Sequence, residues 1–254
     1  MISYKQIIDS ISVSKLRDEV NQFYPLRSNG FTTNKWIGIH DEPENTIEKY
    51  IQDSFDFYLH DNCDMWFEST PWNELGKPVG FEWWIESLDD HNTITMHSNH
   101  DDDYRKNNYG IMRYPLLSTE THLTNDIDPT TILNTKQGNY WEEYENNPPT
   151  EAVFSAPEEG KFLVSDPRYM RGIFGRRSHR LSLCYDVWHY KPQHLDRIGI
   201  VTKPFECRFY KRQSTLPVQW LGKTKILKLN LADKTITNKF PTTYNEGETW
   251  KVTQ

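Results

Sequence analysis

Two histidines and three aspartates within residues 97–103 form a dense set of potential metal ligands. His97 is followed by Ser98 and Asn99, and His100 is followed directly by the run Asp101-Asp-Asp. Imidazole and carboxylate together suit a borderline divalent metal such as Fe(II), Mn(II) or Zn(II). His100 and Asp102 lie two residues apart, so both side chains can point to one face of an extended segment. The pattern therefore indicates a metal site, and a solvated polar loop is the alternative.

A short β-prone run, Thr93 to Met96, precedes this cluster. Sequence patterns also predict helices and strands in the rest of the chain. Apolar residues at helical spacing predict helices over 14–23, with Ser14 as N-cap, and 44–59, with Asn45 as N-cap. Polar residues 124–151 predict a long insert or an active-site lid. Further strands are predicted at 81–86, 93–96, 160–165 and 180–188, extended sequence at 114–123, and a turn followed by a short strand at 166–175. Helices first and then many strands predict an antiparallel barrel or sandwich.

Composition narrows the class of protein. The chain has 254 residues and a formal net charge of −7, which disfavours a nucleic-acid or anionic-membrane partner. Three widely spaced cysteines without a Cys-x-x-Cys argue against a disulfide framework or zinc ribbon and favour a reducing, cytoplasmic compartment. Residues 1–20 contain neither a signal peptide nor a membrane span. With 14% aromatic residues, the core is expected to be rich in Trp, Tyr and Phe.

Three segments together resemble the Fe(II)/2-oxoglutarate-dependent dioxygenase superfamily. They are the His/Asp cluster, the strand Gly160-Lys-Phe-Leu-Val-Ser165, and the strand Arg180-Leu-Ser-Leu-Cys-Tyr-Asp-Val-Trp188. The resemblance covers residues 80–190 and implies a mainly β, cupin-like double-stranded β-helix (jelly roll). It also implies an early His-x-Asp, a late His and an Arg that binds the distal carboxylate of 2-oxoglutarate. By this resemblance Arg180 binds the co-substrate, and Ser182, on the same strand face, adds a hydrogen bond.

One position departs from the family pattern. The late His belongs in the run from Asp166 to Ile173, where Arg171 stands instead, and arginine does not ligate a divalent cation. The early pair is ambiguous as well. His100 and Asp102 meet His-x-Asp strictly, whereas the register of the preceding strand favours His97, which would put Asn99 in the place of the carboxylate.

Three interpretations follow. In the first, His100, Asp102 and a third ligand hold Fe(II); the candidates for the third ligand are His97, His122 and His179. In the second, two protein ligands suffice, and water and 2-oxoglutarate complete the sphere. In the third, the site has no metal, and Arg171 projects a fixed positive charge that holds an anion or a carboxylate ligand.

The prediction is one jelly-roll domain over 1–254, with a helical N-terminal flank (1–79), a β-helix core (80–190) and a β-rich C-terminal extension (191–254). The favoured function is an Fe(II)/2-oxoglutarate-dependent oxygenase that oxidises a C–H bond of a small molecule while 2-oxoglutarate is decarboxylated. Its reacting centre would contain His97, His100, Asp102 and Arg171. The alternative is a catalytically altered or metal-free relative that binds a carboxylate ligand in the jelly-roll pocket. Neither includes a nucleic-acid or membrane partner.

Overall fold

The computed structural model describes residues 2–4, 7–23, 27–28, 31–32, 34–58, 77–88, 93–126, 128–136, 149, 151–173, 179–193, 195–210, 224–230, 235–236 and 249–253. The helices of this part of the chain are α1 (Ser10–Phe23), α2 (Thr46–Tyr58) and α3 (Asp102–Asn107). In the same residues no helix has the length and apolar character needed to cross a membrane.

The described strands form two sheets. In chain order they are β1 (Ile2–Tyr4), β2 (Arg27–Ser28), β3 (Phe31–Thr32), β4 (Lys35–Gly38), β5 (Gly80–Ser87), β6 (Ile94–His97), β7 (Leu117–His122), β8 (Thr130–Lys136), β9 (Glu151–Ser155), β10 (Phe162–Ser165), β11 (Tyr169–Ile173), β12 (Leu181–Trp188), β13 (Thr224–Asn230), β14 (Thr235–Ile236) and β15 (Thr249–Thr253). The first sheet has the order β1-β10-β7-β12-β5-β3-β2, and β4 also pairs with β5. The second has the order β14-β13-β15-β9-β8-β11-β6.

The strands from β5 to β12 alternate between the two sheets, except that the consecutive strands β8 and β9 pair with each other in the second sheet. The first sheet takes β5, β7, β10 and β12, and the second takes β6, β8, β9 and β11, with antiparallel pairing throughout this set. This is the double-stranded β-helix that the sequence predicted. The C-terminal strands continue the second sheet, because β15 pairs with β9 and β13 runs parallel to β15.

Helices α1 and α2 cover the outer face of the first sheet. Val20 and Phe23 of α1 share one core with Trp83 of β5 and Tyr185 of β12. The ring of Phe55 in α2 meets that of Phe81 edge-on at 5.1 Å. The aromatic core predicted from composition is confirmed in this layer.

The helix starts follow their capping side chains. Asn45 Oδ1 accepts a hydrogen bond from the Glu48 backbone N–H at 2.9 Å, which confirms the predicted N-cap of α2. The start predicted for α1 was wrong, since the helix begins at Ser10. Asp9 Oδ1 accepts from the Ser12 N–H at 2.7 Å and satisfies the first turn.

The polar stretch 124–151 is not one long insert. Its residues Thr130–Lys136 form β8, because a run of β-branched residues can pair between β9 and β11. Residues 137–148 of the predicted lid, with Trp141 and Tyr144, lie outside the described residues. Helix α3 begins at Asp102, inside the His/Asp cluster.

Candidate functional site

The two sheets enclose a polar interior. Along β12, Leu183, Tyr185 and Val187 belong to the apolar core under the helices. The alternate positions on the other face are equally buried, which confirms the predicted two-faced pattern of this strand. The buried ionisable side chains of the interior are Glu86, Glu120, His122, Arg171, Cys184, Arg180 and Asp186.

Strand pairing places Arg171 directly opposite His97. The two residues are Cα partners of the antiparallel β6–β11 pair. Gly172 permits this close approach, because a Cβ at that position would lie 2.8 Å from the Ile94 carbonyl oxygen. Asn99 follows His97 by two residues. The pairing therefore brings together His97 and Arg171, two of the residues predicted for the reacting centre.

The Arg171 guanidinium lies between two carboxylates of the other sheet. Its Nη2 is 3.7 Å from Glu86 Oε2 and 3.7 Å from Glu120 Oε2, and its side chain is only 5% exposed. Burial alone would lower the pKa of Arg171, but the neighbouring carboxylates raise it above its ordinary value. Arg171 is therefore a permanent cation that links the two sheets.

Glu120 is also the partner of Arg180. Arg180 Nη2 donates to Glu120 Oε1, and Thr130 Oγ1 donates to Glu120 Oε2 at 2.8 Å. Arg180 also donates from Nη1 to the Asp128 carbonyl oxygen at 3.0 Å and from Nε to Ser182 Oγ at 3.3 Å. Burial favours the neutral acid, yet Arg180 lowers the pKa of Glu120 well below its ordinary value. The guanidinium predicted to bind 2-oxoglutarate thus already holds a carboxylate of the chain itself.

The remaining carboxyl groups are shifted toward the neutral form. Burial, with the nearby charge of Glu120, raises the pKa of Glu86 to about 7. Burial likewise raises the pKa of Asp186 to about 6, although Asn99 Nδ2 donates to its Oδ1 at 3.0 Å. Asn99 Nδ2 also donates to Ser118 Oγ at 3.1 Å. The amide nitrogen of Asn99 therefore donates to side chains of the protein itself.

His97 is held in one tautomer. Its Nδ1 donates to the Thr95 carbonyl oxygen at 2.8 Å, which leaves the lone pair on Nε2. Burial and the charge of Arg171 lower the pKa of His97 to about 4. The imidazole is neutral near pH 7, as a metal ligand must be, but its cross-strand neighbour is a cation.

His100, whose side chain is only 11% exposed, pairs with the exposed residue Asp102. His100 Nε2 is 3.1 Å from Asp102 Oδ1, and Arg105 Nη2 donates to the same oxygen at 3.0 Å. Asp102 is in the first turn of α3, and its side chain is 60% exposed. Neither residue is brought to the interior carboxylates.

The other histidine candidates lie elsewhere. His122 is fully buried in the interior, with its Nδ1 3.2 Å from Ser182 Oγ and 3.5 Å from Glu120 Oε1. Burial lowers the pKa of His122 to about 3, so it is neutral. It therefore contacts the Arg180–Glu120 pair. His179 is exposed.

The donor set does not fit Fe(II). Among the described residues, no three His, Cys, Asp or Glu side chains are grouped so that they could hold a metal ion. Opposite His97 stands Arg171, which cannot donate a lone pair. The carboxylates nearest to Arg171 are its own ion-pair partners. The carboxylate of 2-oxoglutarate would also find Arg180 occupied, because Glu120 already pairs with that guanidinium.

Sequence reasoning missed Glu120, which is the centre of this network. The signal was available in the run Ser118-Thr-Glu-Thr-His122, where residues 118, 120 and 122 share one face of a strand. Only the pairing of β7 with β12, in which Cys184 opposes Glu120, puts that face beside the face of Arg180.

A separate cleft of about 470 Å³ lies where several strands of the first sheet begin or end. Its walls come from residues 112–116 before β7, from the turn 166–168 between β10 and β11, and from residues 189–190 after β12. None of the charged residues of the interior lines it. This cleft was not predicted from the sequence.

No family model and no curated protein matches the chain. Three solved structures with a similar arrangement are a Pseudomonas putida prolyl-4-hydroxylase, the non-heme alpha ketoglutarate dependent epimerase SnoN from nogalamycin biosynthesis, and HygX from Streptomyces hygroscopicus with nickel and 2-oxoglutarate bound. The first is 11% identical with TM-score 0.46, covering 74% of this chain and 87% of that chain. SnoN is 11% identical with TM-score 0.42, covering 81% and 87%. HygX is 13% identical with TM-score 0.45, covering 81% and 92%.

Proposed function

We propose that this chain is a non-catalytic binding protein on the double-stranded β-helix fold, and that its barrel takes neither Fe(II) nor 2-oxoglutarate. The observation that supports this proposal is the position of Arg171, opposite His97 and between two interior carboxylates. The expected partner is a small molecule. The metal-free alternative of the sequence analysis expected a carboxylate ligand in the jelly-roll pocket, and the present proposal differs from it because Glu120 of the chain itself supplies that carboxylate.

Electrostatics opposes a metal ion at this position. A divalent cation 4 Å from a guanidinium would be repelled by about 8 kcal/mol at an effective dielectric of 20. Glu86 and Glu120 offset part of this repulsion, but both already compensate arginines. Because Arg171 cannot lose its proton, the repulsion cannot be relieved by titration.

Binding of 2-oxoglutarate would require an exchange of one carboxylate for another. The incoming group would replace Glu120 on Arg180 and would leave Glu120 buried without its strongest partner. Breaking a buried ion pair costs about 3–5 kcal/mol. The new contact to Arg180 would do no more than replace the one that was lost, so we expect no measurable affinity from this exchange.

Anaerobic titration with Fe(II) and 2-oxoglutarate tests the proposal through the weak visible charge-transfer band of the chelate. The wild-type protein should develop no saturable band and should not bind 2-oxoglutarate in calorimetry. The matched control is the double variant Asn99→Asp, Arg171→His, which places imidazole, carboxylate and imidazole at the paired positions 97, 99 and 171. It should gain Fe(II) affinity. A saturable band in the wild type, lost on His97→Ala, would refute the proposal.

The second candidate is the oxygenase that the sequence favours, an Fe(II)/2-oxoglutarate-dependent enzyme acting on a small molecule. One observation favours it: His97 is neutral and oriented by a backbone carbonyl, as metal-bound histidines commonly are. It requires Arg171 to leave its two carboxylate partners. The titration separates the two candidates, because only the oxygenase predicts a band in the wild type.

A further inference from the structure

The cleft bounded by residues 112–116, 166–168 and 189–190 has the size of a small-molecule site. Its volume of about 470 Å³ falls within the range of pockets that hold small organic ligands. Met112 and Pro115 contribute apolar surface, and Tyr114 and Tyr190 contribute aromatic rings. Such walls suit a ligand with an aromatic or apolar body.

Arg113 supplies a positive charge at this cleft. Its guanidinium carbon lies 3.8 Å from the ring centroid of Tyr104 and 5.3 Å from that of Tyr190. The side chain is exposed, and within the described part of the chain no carboxylate forms an ion pair with it. Stacking on the two rings therefore holds the guanidinium in place and leaves its N–H groups available.

The other ionisable groups of the cleft are neutralised or neutral. Arg168 forms a two-pronged pair with Asp166, with Nε 2.9 Å from Oδ1 and Nη2 2.6 Å from Oδ2. Burial and the charge of Arg113 lower the pKa of His189, which keeps that imidazole uncharged near pH 7. The net charge of the cleft is thus that of Arg113, in a protein whose formal net charge is −7.

The nearby carboxylates limit the charge of a ligand. Asp166 lines the cleft, and Asp101 lies behind it, where its Oδ2 accepts a hydrogen bond from the Tyr190 hydroxyl at 3.1 Å. One available cation beside two carboxylates compensates a single negative charge better than the two charges of a phosphate monoester. A planar carboxylate also matches the two-pronged geometry of a guanidinium.

We propose that this cleft binds a small monocarboxylate with an aromatic body, and that Arg113 pairs with its carboxylate. The ring of the ligand packs against Tyr190 and the apolar surface of Met112 and Pro115. The inference goes beyond the proposed function, because the cleft and the charged interior share no residue. An oxygenase and a binding protein on this fold could both use it.

The test is isothermal calorimetry on the full chain in buffer with a chelator, so that no metal contributes to binding. The probes are benzoate, 3-phenylpropionate and indole-3-acetate. The matched controls are 3-phenylpropanamide, which keeps the ring without the charge, and acetate, which keeps the charge without the ring. At least one aromatic acid should bind, and each control ligand should bind at least about tenfold more weakly.

Two variants locate the site. Arg113→Gln should weaken binding of the aromatic acid at least about tenfold, and it should fold normally because the side chain is exposed. Lys106→Gln removes the same charge from an exposed position, where Lys106 Nζ lies 3.9 Å from Asp103 Oδ1, and it should bind as the wild type does. Equal affinities of the acid and the amide, an unchanged affinity of Arg113→Gln, or failure of all three acids to bind would each overturn the proposal. None of these results depends on whether the barrel binds Fe(II).

Discussion

Replacing Glu120 with Gln should destabilise the protein strongly. The substitution keeps the size of the side chain but removes the carboxylate that Arg180 and Arg171 share. Removing one partner of a buried ion pair costs about 3–5 kcal/mol, because the remaining charge is left uncompensated. For a chain of this length the loss corresponds to a decrease in melting temperature of roughly 6–20 °C.

Chemical denaturation of matched variants measures this effect. The control is Asp102→Asn, which makes the same chemical change at a carboxylate that is 60% exposed and 3.0 Å from Arg105. An exposed pair contributes about 0–1 kcal/mol, so the control should lie close to the wild type. If Glu120→Gln lost no more free energy of unfolding than Asp102→Asn, the buried network would not have the strength inferred here.

The pH dependence of the same difference follows from the lowered pKa of Glu120. A carboxyl whose folded pKa is depressed stabilises the protein above its unfolded pKa, and this stabilisation is lost as the pH falls through the folded pKa. The difference between wild type and Glu120→Gln should therefore be complete near pH 7 and should shrink in acid. A difference that grows as the pH is lowered would contradict the ionised state assigned to Glu120.

Two further substitutions test the interior. Burial raises the pKa of Glu86 to about 7, so the stability that its neutral form contributes is present below its unfolded pKa and is lost as the pH rises through 7. Between about pH 5 and pH 8 the free energy of unfolding should therefore fall less in Glu86→Gln than in the wild type, by up to about 3 kcal/mol. Denaturant titrations at several pH values measure this, and an equal dependence on pH in the two proteins would contradict it. Gly172→Ala should lower the free energy of unfolding by about 1–3 kcal/mol, since its Cβ would meet the Ile94 carbonyl at 2.8 Å and Met96 Sδ at 2.6 Å. An unchanged denaturation midpoint would show that β6 and β11 separate easily.

Much of the fold could be predicted from local pattern. The alternation in residues 180–188 and the helical repeat after Asn45 are strong signals, and both elements are present with almost the expected bounds. The strand Thr130–Lys136 was missed because the residues around it are polar. Its pairing with β9 and β11 also cannot be identified from local pattern. The start of α1 was missed because Asp9, and not Ser14, caps the helix.

The site was predictable only in part. The family resemblance drew attention to Arg171, because it stands where the late His was expected, and the structure pairs it with His97. The sequence also placed Arg180 and Ser182 on one buried face. The partner of Arg180 could not be identified in this way, because Glu120 is 60 residues away and reaches it only through the register of β7 and β12. Spacing alone also favoured His100 and Asp102, whose pairing with each other depends on the start of α3.

The shared carboxylate of Glu120 has a consequence for how this interior can change by mutation. Arg171 and Arg180 both pair with Glu120, so losing that one acidic residue leaves two buried guanidinium charges, of which only Arg171 keeps a second carboxylate partner, Glu86. A stepwise route from this interior to one that accommodates a cation would therefore pass through poorly stable single mutants. We expect such a route to be open only in a background already stabilised elsewhere, or through paired substitutions that arrive together.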